Sequence, residues 1–185
     1  MCIRDSDYYT AVDDISGESG AGMIGDVEFN SATYYKYFSV HWDQLVKNLG
    51  GDTAIAAKAV QALIDAAARV TPSGKQRSFA AHNLPDLVLV EVQEASQPVS
   101  YANAFLRAVT VRGEQSLMDV SVDALKEHMD RLIGTYELQA QRGYVTTGNA
   151  ELPHAEKLRS LPALLKWLPL PADAGGAANS GNGRT

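Results

Sequence analysis

A helix-to-strand corner is encoded by VTPSGKQRSFAAHN, residues 70–83. An alanine-rich helical run stops at its Pro-Ser-Gly turn, and the strand-like run LVLVEV, residues 87–92, follows it. Lys75 and Arg77 flank Gln76 and form a compact positive point in an acidic chain. Backbone N–H groups and cations that meet at a turn suit a phosphate group. The alternative is a solvated turn whose two charges only maintain solubility.

Helices are predicted on both sides of this corner. The run before it predicts a helix from Asp52, an N-cap residue, to about Val70, and the alanines of this helix imply close approach to a sheet. A short helix over residues 42–49 ends at two glycines. A helical stretch is predicted over 98–108, another helix from Ser121 as its N-cap to residue 136, and a last one over residues 161–167, opened by Pro162.

Strands are predicted over residues 27–40, 79–82 and 87–92, and residues 8–12 are β-prone. The 27–40 run is rich in aromatic residues, which stack nucleic-acid bases in some sheets but more commonly pack in a core. Strands separated by helices predict an α+β or α/β fold with helices packed on a sheet.

Residues 13–26 are predicted to form a long loop because four glycines interrupt them. The run GAGMIG, residues 20–25, fits the dinucleotide-binding pattern G-x-G-x-x-G. That site requires a helix to open at the third glycine, whereas a strand-like run follows here. The glycines therefore predict a protruding hairpin with Met23 and Ile24 as its exposed apolar tip. Such a tip either contacts a partner or folds back onto its own domain.

Composition excludes several classes of protein. The 185 residues suffice for one sizeable core, and no apolar run approaches the roughly 20 residues of a membrane span. Cys2 is the only cysteine, so an internal disulfide is excluded and an intracellular protein is expected. The net charge of −6 argues against a generally basic nucleic-acid binder, so any RNA-binding surface must be local.

Catalytic chemistry has little support in the sequence. The four histidines lie in four different predicted elements without metal-binding spacing, and no G-x-S-x-G motif is present. An acidic cluster, formed by Asp5, Asp7, Asp13 and Asp14, could hold Mg²⁺ for phosphodiester chemistry. The commoner explanation of such a cluster is a solvated acidic rim around a loop.

A resemblance to a known family runs through the chain in order. It is carried by DYYTAVDD (residues 7–14), MIG (23–25), EF (28–29), YYKY (34–37), NLGG (48–51), GKQRSFAAHN (74–83) and SYANAF (100–105). These segments resemble the CasC family, the crRNA-binding backbone subunit of the type I-E CRISPR Cascade complex, in the RAMP superfamily. The resemblance extends from Asp7 to about Trp167.

The resemblance implies an α+β fold with an incomplete RRM-like (ferredoxin-like) palm, in which helices cover one face of a mainly antiparallel sheet. Residues 7–168 correspond to the C-terminal part of this palm, and residues 13–26 to a protruding thumb. Residues 1–6 resemble a translated sequencing adaptor, which predicts a non-native leader. Residues 169–185 are rich in Gly, Ala and Asn and predict a disordered tail.

The function implied by the resemblance is assembly on guide RNA without catalysis or cofactors. The implied partners are crRNA, the target DNA strand paired to it, further copies of the chain and other Cascade subunits in a prokaryotic cytoplasm. Ile24 corresponds to the apolar thumb residue of the wedge that flips a base, and Tyr8, Tyr9 and Thr10 correspond to RNA contacts beside it. Met23 replaces a polar residue of the family and leaves the wedge intact. Our own assignment adds Lys75, Gln76 and Arg77 as contacts to phosphate or to a neighbouring subunit. A metal-dependent RNA nuclease using Asp13 or Asp14, and a purely structural assembly domain, remain alternatives.

Overall fold

The computed structural model describes residues 2–12, 19–30, 32–74, 76, 80–94, 97–111 and 113–170. The chain divides into two compact units, Met1–Lys36 and Tyr37–Thr185. Together the described residues form a mixed α+β structure, as predicted. None of the helices in these ranges is both long and apolar enough to cross a membrane.

The first unit is an antiparallel β-hairpin of strands β1 (Cys2–Val12) and β2 (Ser19–Asn30). The predicted hairpin is confirmed, but the prediction that glycines keep residues 19–26 out of a strand is wrong. Ladder hydrogen bonds to β1 stabilise the extended backbone there and outweigh the entropic cost of ordering glycine. Met23 and Ile24 consequently lie within β2 and not at the tip of the hairpin. Residues 13–18, between the two strands in the sequence, lie outside the described residues.

The predicted strand over 27–40 is only partly present. Its first residues belong to β2, whereas residues 32–40 have no regular secondary structure. An alternating, aromatic-rich sequence forms a strand only where another strand supplies ladder hydrogen bonds, and no described strand pairs with residues 32–40. The expectation of core packing is also wrong for residues 34–38 of this run, since Tyr34, Tyr35, Tyr37 and Phe38 are exposed.

The second unit opens with helices α1 (Trp42–Asn48) and α2 (Thr53–Arg69), both as predicted. The Asp52 side chain caps α2 by accepting a hydrogen bond from the Ile55 N–H at 2.8 Å. Gly50 and Gly51 have φ of 71° and 90°, a conformation that glycine adopts without steric cost, and so end α1.

Three strands form the sheet of this unit in the order β3 (Leu87–Val92), β4 (Gln141–Thr146) and β5 (Glu156–Lys157). β3 pairs antiparallel with β4, and β4 pairs parallel with the short β5. Residues 87–92 confirm the predicted strand. The strand predicted over 79–82 is wrong for Ala80–His82, which form no strand, and its first residue lies outside the described ranges.

The longest helix, α3 (Leu117–Tyr136), begins one turn earlier than predicted. Ser116 is its N-cap and forms a capping box with Asp119, whose pKa the hydrogen bonds from Ser116 lower. Ser121, predicted as the cap, is buried inside the helix and donates its hydroxyl hydrogen bond to the Leu117 carbonyl at 2.7 Å. The helical stretch predicted over 98–108 is reduced to a 3₁₀ turn, Ala102–Phe105, whereas α4 (Leu161–Trp167) is confirmed.

The core lies between α3 and the sheet. It consists of Tyr101, Val122, Leu125, Met129, Ile133, Tyr144 and Leu152. The buried Tyr144 hydroxyl donates to the Ala150 carbonyl and accepts from the Leu152 N–H, each at 3.2 Å. These bonds attach the loop after β4 to the core and satisfy the only polar atom of that side chain.

A buried ion pair links the two long strands of the sheet. Glu91 of β3 and Arg142 of β4 are direct cross-strand partners, and the guanidinium donates to the Glu91 carboxylate. The Tyr101 hydroxyl donates to the same carboxylate at 2.7 Å, and Arg142 Nη2 donates to the Leu138 carbonyl at 3.2 Å. Burial and the hydrogen bond to Glu91 raise the pKa of Tyr101 well above its ordinary value of 10.0.

The Trp167 ring of α4 lies against the backbone of β4 at Gly143, the residue after Arg142. A Cβ placed on Gly143 would lie 2.7 Å from ring carbons Cε3 and Cζ3, so only glycine allows this approach. The ring Nε1–H donates to Glu156 of β5 at 2.8 Å. Gln61 of α2 donates to the Leu165 carbonyl at 3.0 Å, which attaches α2 to α4.

Replacement of Gly143 by alanine is expected to lower the free energy of unfolding by about 1–3 kcal/mol, because the new methyl group displaces the Trp167 ring. Urea unfolding measures the change. Gly134→Ala is the matched control inside α3, where a Cβ would meet no neighbouring atom within 4 Å, so it should raise stability by about 0.5–1 kcal/mol. Equal effects of the two changes would contradict the packing described.

The Tyr101 hydroxyl is expected to make stability sensitive to high pH. In the unfolded chain the phenol ionises near its ordinary pKa, whereas the folded protein holds it protonated. Its contribution is therefore full below about pH 10 and is lost as the pH rises further. Tyr101→Phe should destabilise the fold at about pH 8, with a smaller difference from the parent at about pH 11. Tyr136→Phe, an exposed site on α3, is the control and should change stability little at either pH. A pH-independent difference for Tyr101→Phe would contradict this expectation.

Candidate nucleic-acid interface

The β-hairpin brings together the predicted site residues of the first unit. Tyr8 lies directly opposite Ile24 in the ladder, and Tyr9 lies directly opposite Met23. Directly opposed residues share a face of a two-stranded ribbon, and successive residues alternate between faces. One tyrosine and one apolar residue therefore occupy each face at the same level of the ribbon.

A β-bulge adjoins these two pairs. The register changes between Tyr9 and Thr10, since Thr10 pairs with Ala21 while Tyr9 pairs with Met23, and Gly22 is the extra residue. A bulge bends a strand and increases its local twist, and glycine accommodates the required backbone without steric cost. The bulge therefore changes the direction of the ribbon at the level where the predicted RNA contacts are grouped.

The ribbon carries little positive charge. Among residues 2–12 and 19–30, Arg4 is the only cation, whereas Asp5, Asp7, Asp26 and Glu28 are acidic, which gives a net charge of −3. Arg4 lies directly opposite Glu28 in the ladder. Affinity of this ribbon for RNA would have to come from stacking and apolar contacts, which depend less on charge than phosphate contacts do.

The second predicted group, at the 70–83 corner, lies in the other compact unit. Lys75 and Arg77 lie outside the described residues. Gln76 is half-buried, and its side-chain amide donates to the Pro72 carbonyl at 2.8 Å and to the Ala81 carbonyl at 3.5 Å. Its Oε1 is buried without a hydrogen-bond partner among the described atoms. The Gln76 amide donors thus stabilise the corner itself.

A backbone hydrogen bond joins two described residues of the corner. The Ala80 N–H donates to the Gln76 carbonyl at 2.9 Å, and Ala80 has a positive φ of 48°. A positive φ is uncommon for alanine and ends extended backbone, which explains why no strand forms there. The sequence missed this feature because alanine carries no turn preference comparable to that of glycine or asparagine.

Within the described ranges, no three His, Cys, Asp or Glu side chains group in a way that could hold a metal ion. The acidic residues considered for Mg²⁺ include Asp13 and Asp14, which lie outside those ranges. A shallow depression beside the N-terminal half of α3 is lined by Arg107, Thr110 and Gln115 among others, and it contains none of the predicted site residues.

Comparison with known proteins identifies the family. The family model described as "CT1975-like protein" matches residues 2–167. The chain belongs to the CT1975-like protein family. No curated protein matches it. The predicted resemblance to a subunit family of a CRISPR complex is confirmed by this match together with the similarity to solved structures described next.

Two solved structures are similar to this member of the CT1975-like family. A chain of a "CRISPR RNA-guided surveillance complex" is 36% identical with a TM-score of 0.71, and a chain of a "CRISPR RNA-guided surveillance complex, pre-nicking" is 35% identical with a TM-score of 0.72. Each alignment covers 89% of this chain. It covers 64% of the first matched chain and 45% of the second, so the CT1975-like chain described here spans about half to two thirds of their lengths.

Gln76→Ala is expected to loosen the corner, because it removes the donor to the Pro72 carbonyl. The free energy of unfolding should fall by about 1 kcal/mol, and amide hydrogen exchange should accelerate at Ala80 and His82. Gln139→Ala is a suitable control, since Gln139 makes a comparable local bond at an exposed site after α3. Unchanged exchange at Ala80 in the Gln76 variant would show that the corner does not depend on this side chain.

Proposed function

We propose that the chain is a non-catalytic, crRNA-binding backbone subunit of a CRISPR interference complex. Membership of the CT1975-like family and the similarity to surveillance-complex chains support a role in such a complex. We assign the contact with RNA to the β1–β2 hairpin, which includes the proposed thumb, residues 13–26. The second unit is assigned to an RRM-like palm.

The single observation that carries the RNA assignment is the hairpin register. It places Tyr8 with Ile24 on one face and Tyr9 with Met23 on the other, beside the Gly22 bulge. A ribbon with an aromatic and an apolar residue on both faces at one level suits insertion between two bases. The apolar residues separate the stacked bases, and the aromatic rings stack with the exposed base faces.

This mode of binding is indifferent to sequence, since every base presents a π-face. A guide-RNA backbone subunit requires such indifference because each guide differs in sequence. Thr10, immediately beyond the bulge, supplies a hydroxyl that can bond to the sugar–phosphate backbone. The acidic ribbon leaves phosphate binding to cations elsewhere, and we assign Lys75 and Arg77 at the 70–83 corner to that role.

The partners of the proposed subunit follow from its position on the guide. Further copies of the chain would lie along the same crRNA, with other subunits of the complex at its ends, and the target DNA strand would pair with the guide. The nuclease alternative has no supporting observation among the described residues, and the proposal uses no metal ion.

The hairpin variants Ile24→Asp and Tyr9→Ala test the proposal. The aspartate places a charge against stacked bases, and the alanine removes a stacking ring worth about 1–3 kcal/mol per base. We expect each variant to weaken binding to a guide-length single-stranded RNA by about 5- to 150-fold, measured by fluorescence anisotropy at constant salt. Circular dichroism checks that each variant folds.

Ile55→Asp is the matched control, because it makes the same substitution at an exposed residue of α2 in the other unit. It should bind RNA like the parent. The proposal fails if folded Ile24→Asp and Tyr9→Ala proteins bind RNA with the parent affinity. RNA cleavage by the parent in Mg²⁺ that Asp13→Ala abolishes would instead favour the nuclease.

A further inference from the structure

Helix α4 contacts both the sheet and helix α2 of the second unit. Its Trp167 ring lies against β4 at Gly143, and its Leu165 carbonyl accepts a hydrogen bond from Gln61 of α2 at 3.0 Å. Its Leu164 side chain is completely buried. Helix α4 therefore joins α2 to the sheet.

Helix α4 and the core lie on opposite faces of the sheet. Tyr144 belongs to the core, and the preceding residue, Gly143, faces the other side because successive residues of a strand alternate. A Cβ at Gly143 would meet the Trp167 ring, so α4 lies on that other side. The contacts of α4 are consequently separate from the core that α3 covers.

The buried residues of α2 also form no part of that core. They are Ala56, Ile64 and Ala68, and the two alanines have little apolar surface to bury. Helix α1, which contacts α2, has no buried residue among those described. The α1–α2 pair therefore buries little apolar surface, which increases the importance of its hydrogen bond to α4.

The chain segments that lead into and out of the α1–α2 pair have irregular structure. Residues 37–41 precede α1, residues 71–74 and 80–85 follow α2, and none of these described residues belongs to a helix or a strand. The pair can consequently separate from the sheet without breaking a β-ladder. Segments with few buried contacts open locally at free energies below that of global unfolding.

We propose that α4 is a clasp that holds the α1–α2 pair against the rest of the unit, and that the pair opens as one body when the clasp is released. Release breaks the bond from Gln61 to the Leu165 carbonyl. The core between α3 and the sheet stays intact in the open form, because it shares no buried residue with α2 or α4. This conformational device does not depend on the assignment of RNA binding to the hairpin.

Native-state amide hydrogen exchange of the full chain, without RNA, tests the clasp. We expect the amides of α2 to exchange together, at least about tenfold faster than those around Met129 in α3. Gln61→Ala removes the bond to α4 and should accelerate exchange across α2 by about 2- to 12-fold, the effect of losing one hydrogen bond, while α3 keeps the parent rate. Lys58→Ala is the matched control, because it makes the same replacement at an exposed residue of α2 that has no described hydrogen-bond partner. It should not accelerate exchange.

Trp167→Ala provides a second variant, since it removes the ring from β4 and should accelerate exchange in α2 and α4 more than in α3. The proposal is overturned if α2 and α3 of the parent exchange with the same opening free energy, because the pair then opens only with the whole unit. It is also overturned if Gln61→Ala exchanges like the parent, or if folded Trp167→Ala accelerates α3 as strongly as α2. If Trp167→Ala does not fold, the comparison of Gln61→Ala with Lys58→Ala decides by itself.

Discussion

The buried pair of Glu91 and Arg142 is the interaction on which the second unit depends. Two charges in a core are tolerated only if their remaining donors and acceptors are satisfied, and here Tyr101 and the Leu138 carbonyl provide those bonds. Because the two residues are cross-strand partners, a slip of β3 along β4 would leave both charges buried and unpaired. The pair therefore specifies the strand register, and Tyr101 and Leu138 attach the segments before and after α3 to the same point.

The remainder of the unit is arranged around the strand that carries Arg142. The next residue, Gly143, lacks a side chain, so the Trp167 ring can lie against the backbone of β4. That contact positions α4, and the bond from Gln61 to the Leu165 carbonyl positions α2 in turn. Helix α2 contacts both α1 and α4, whereas its residues Ile55 and Leu63 remain exposed.

The hairpin and the second unit use their apolar and aromatic residues differently. The second unit has a core in which buried polar atoms are paired, whereas the hairpin pairs Tyr8 with Ile24 and Tyr9 with Met23 in consecutive positions of a two-stranded ribbon beside a bulge. A two-stranded ribbon gains little stability from its own side chains. It can instead present both faces to a ligand, and this is the property that the proposed RNA contact requires.

The sequence by itself determined the elements whose signals are local. The Asp52 cap, the two glycines after α1, the apolar run of β3 and Pro162 each act within one turn or strand, and the structure confirms the elements they predict. The order of family-like segments likewise sufficed to predict the family. The segments Tyr8–Val12 and Met23–Ile24 sufficed to predict a candidate RNA-binding site. Tertiary structure decided what depends on pairing between distant residues. β4 is a strand because Arg142 pairs with Glu91 and Gly143 packs against Trp167. Residues 32–40 form no strand because no described strand pairs with them. Met23 and Ile24 lie opposite Tyr9 and Tyr8 in a ladder and not at the predicted tip. The physical reason is that caps and turns are satisfied by neighbours in the chain, whereas a strand is stable only when a partner far away in sequence accepts and donates its hydrogen bonds.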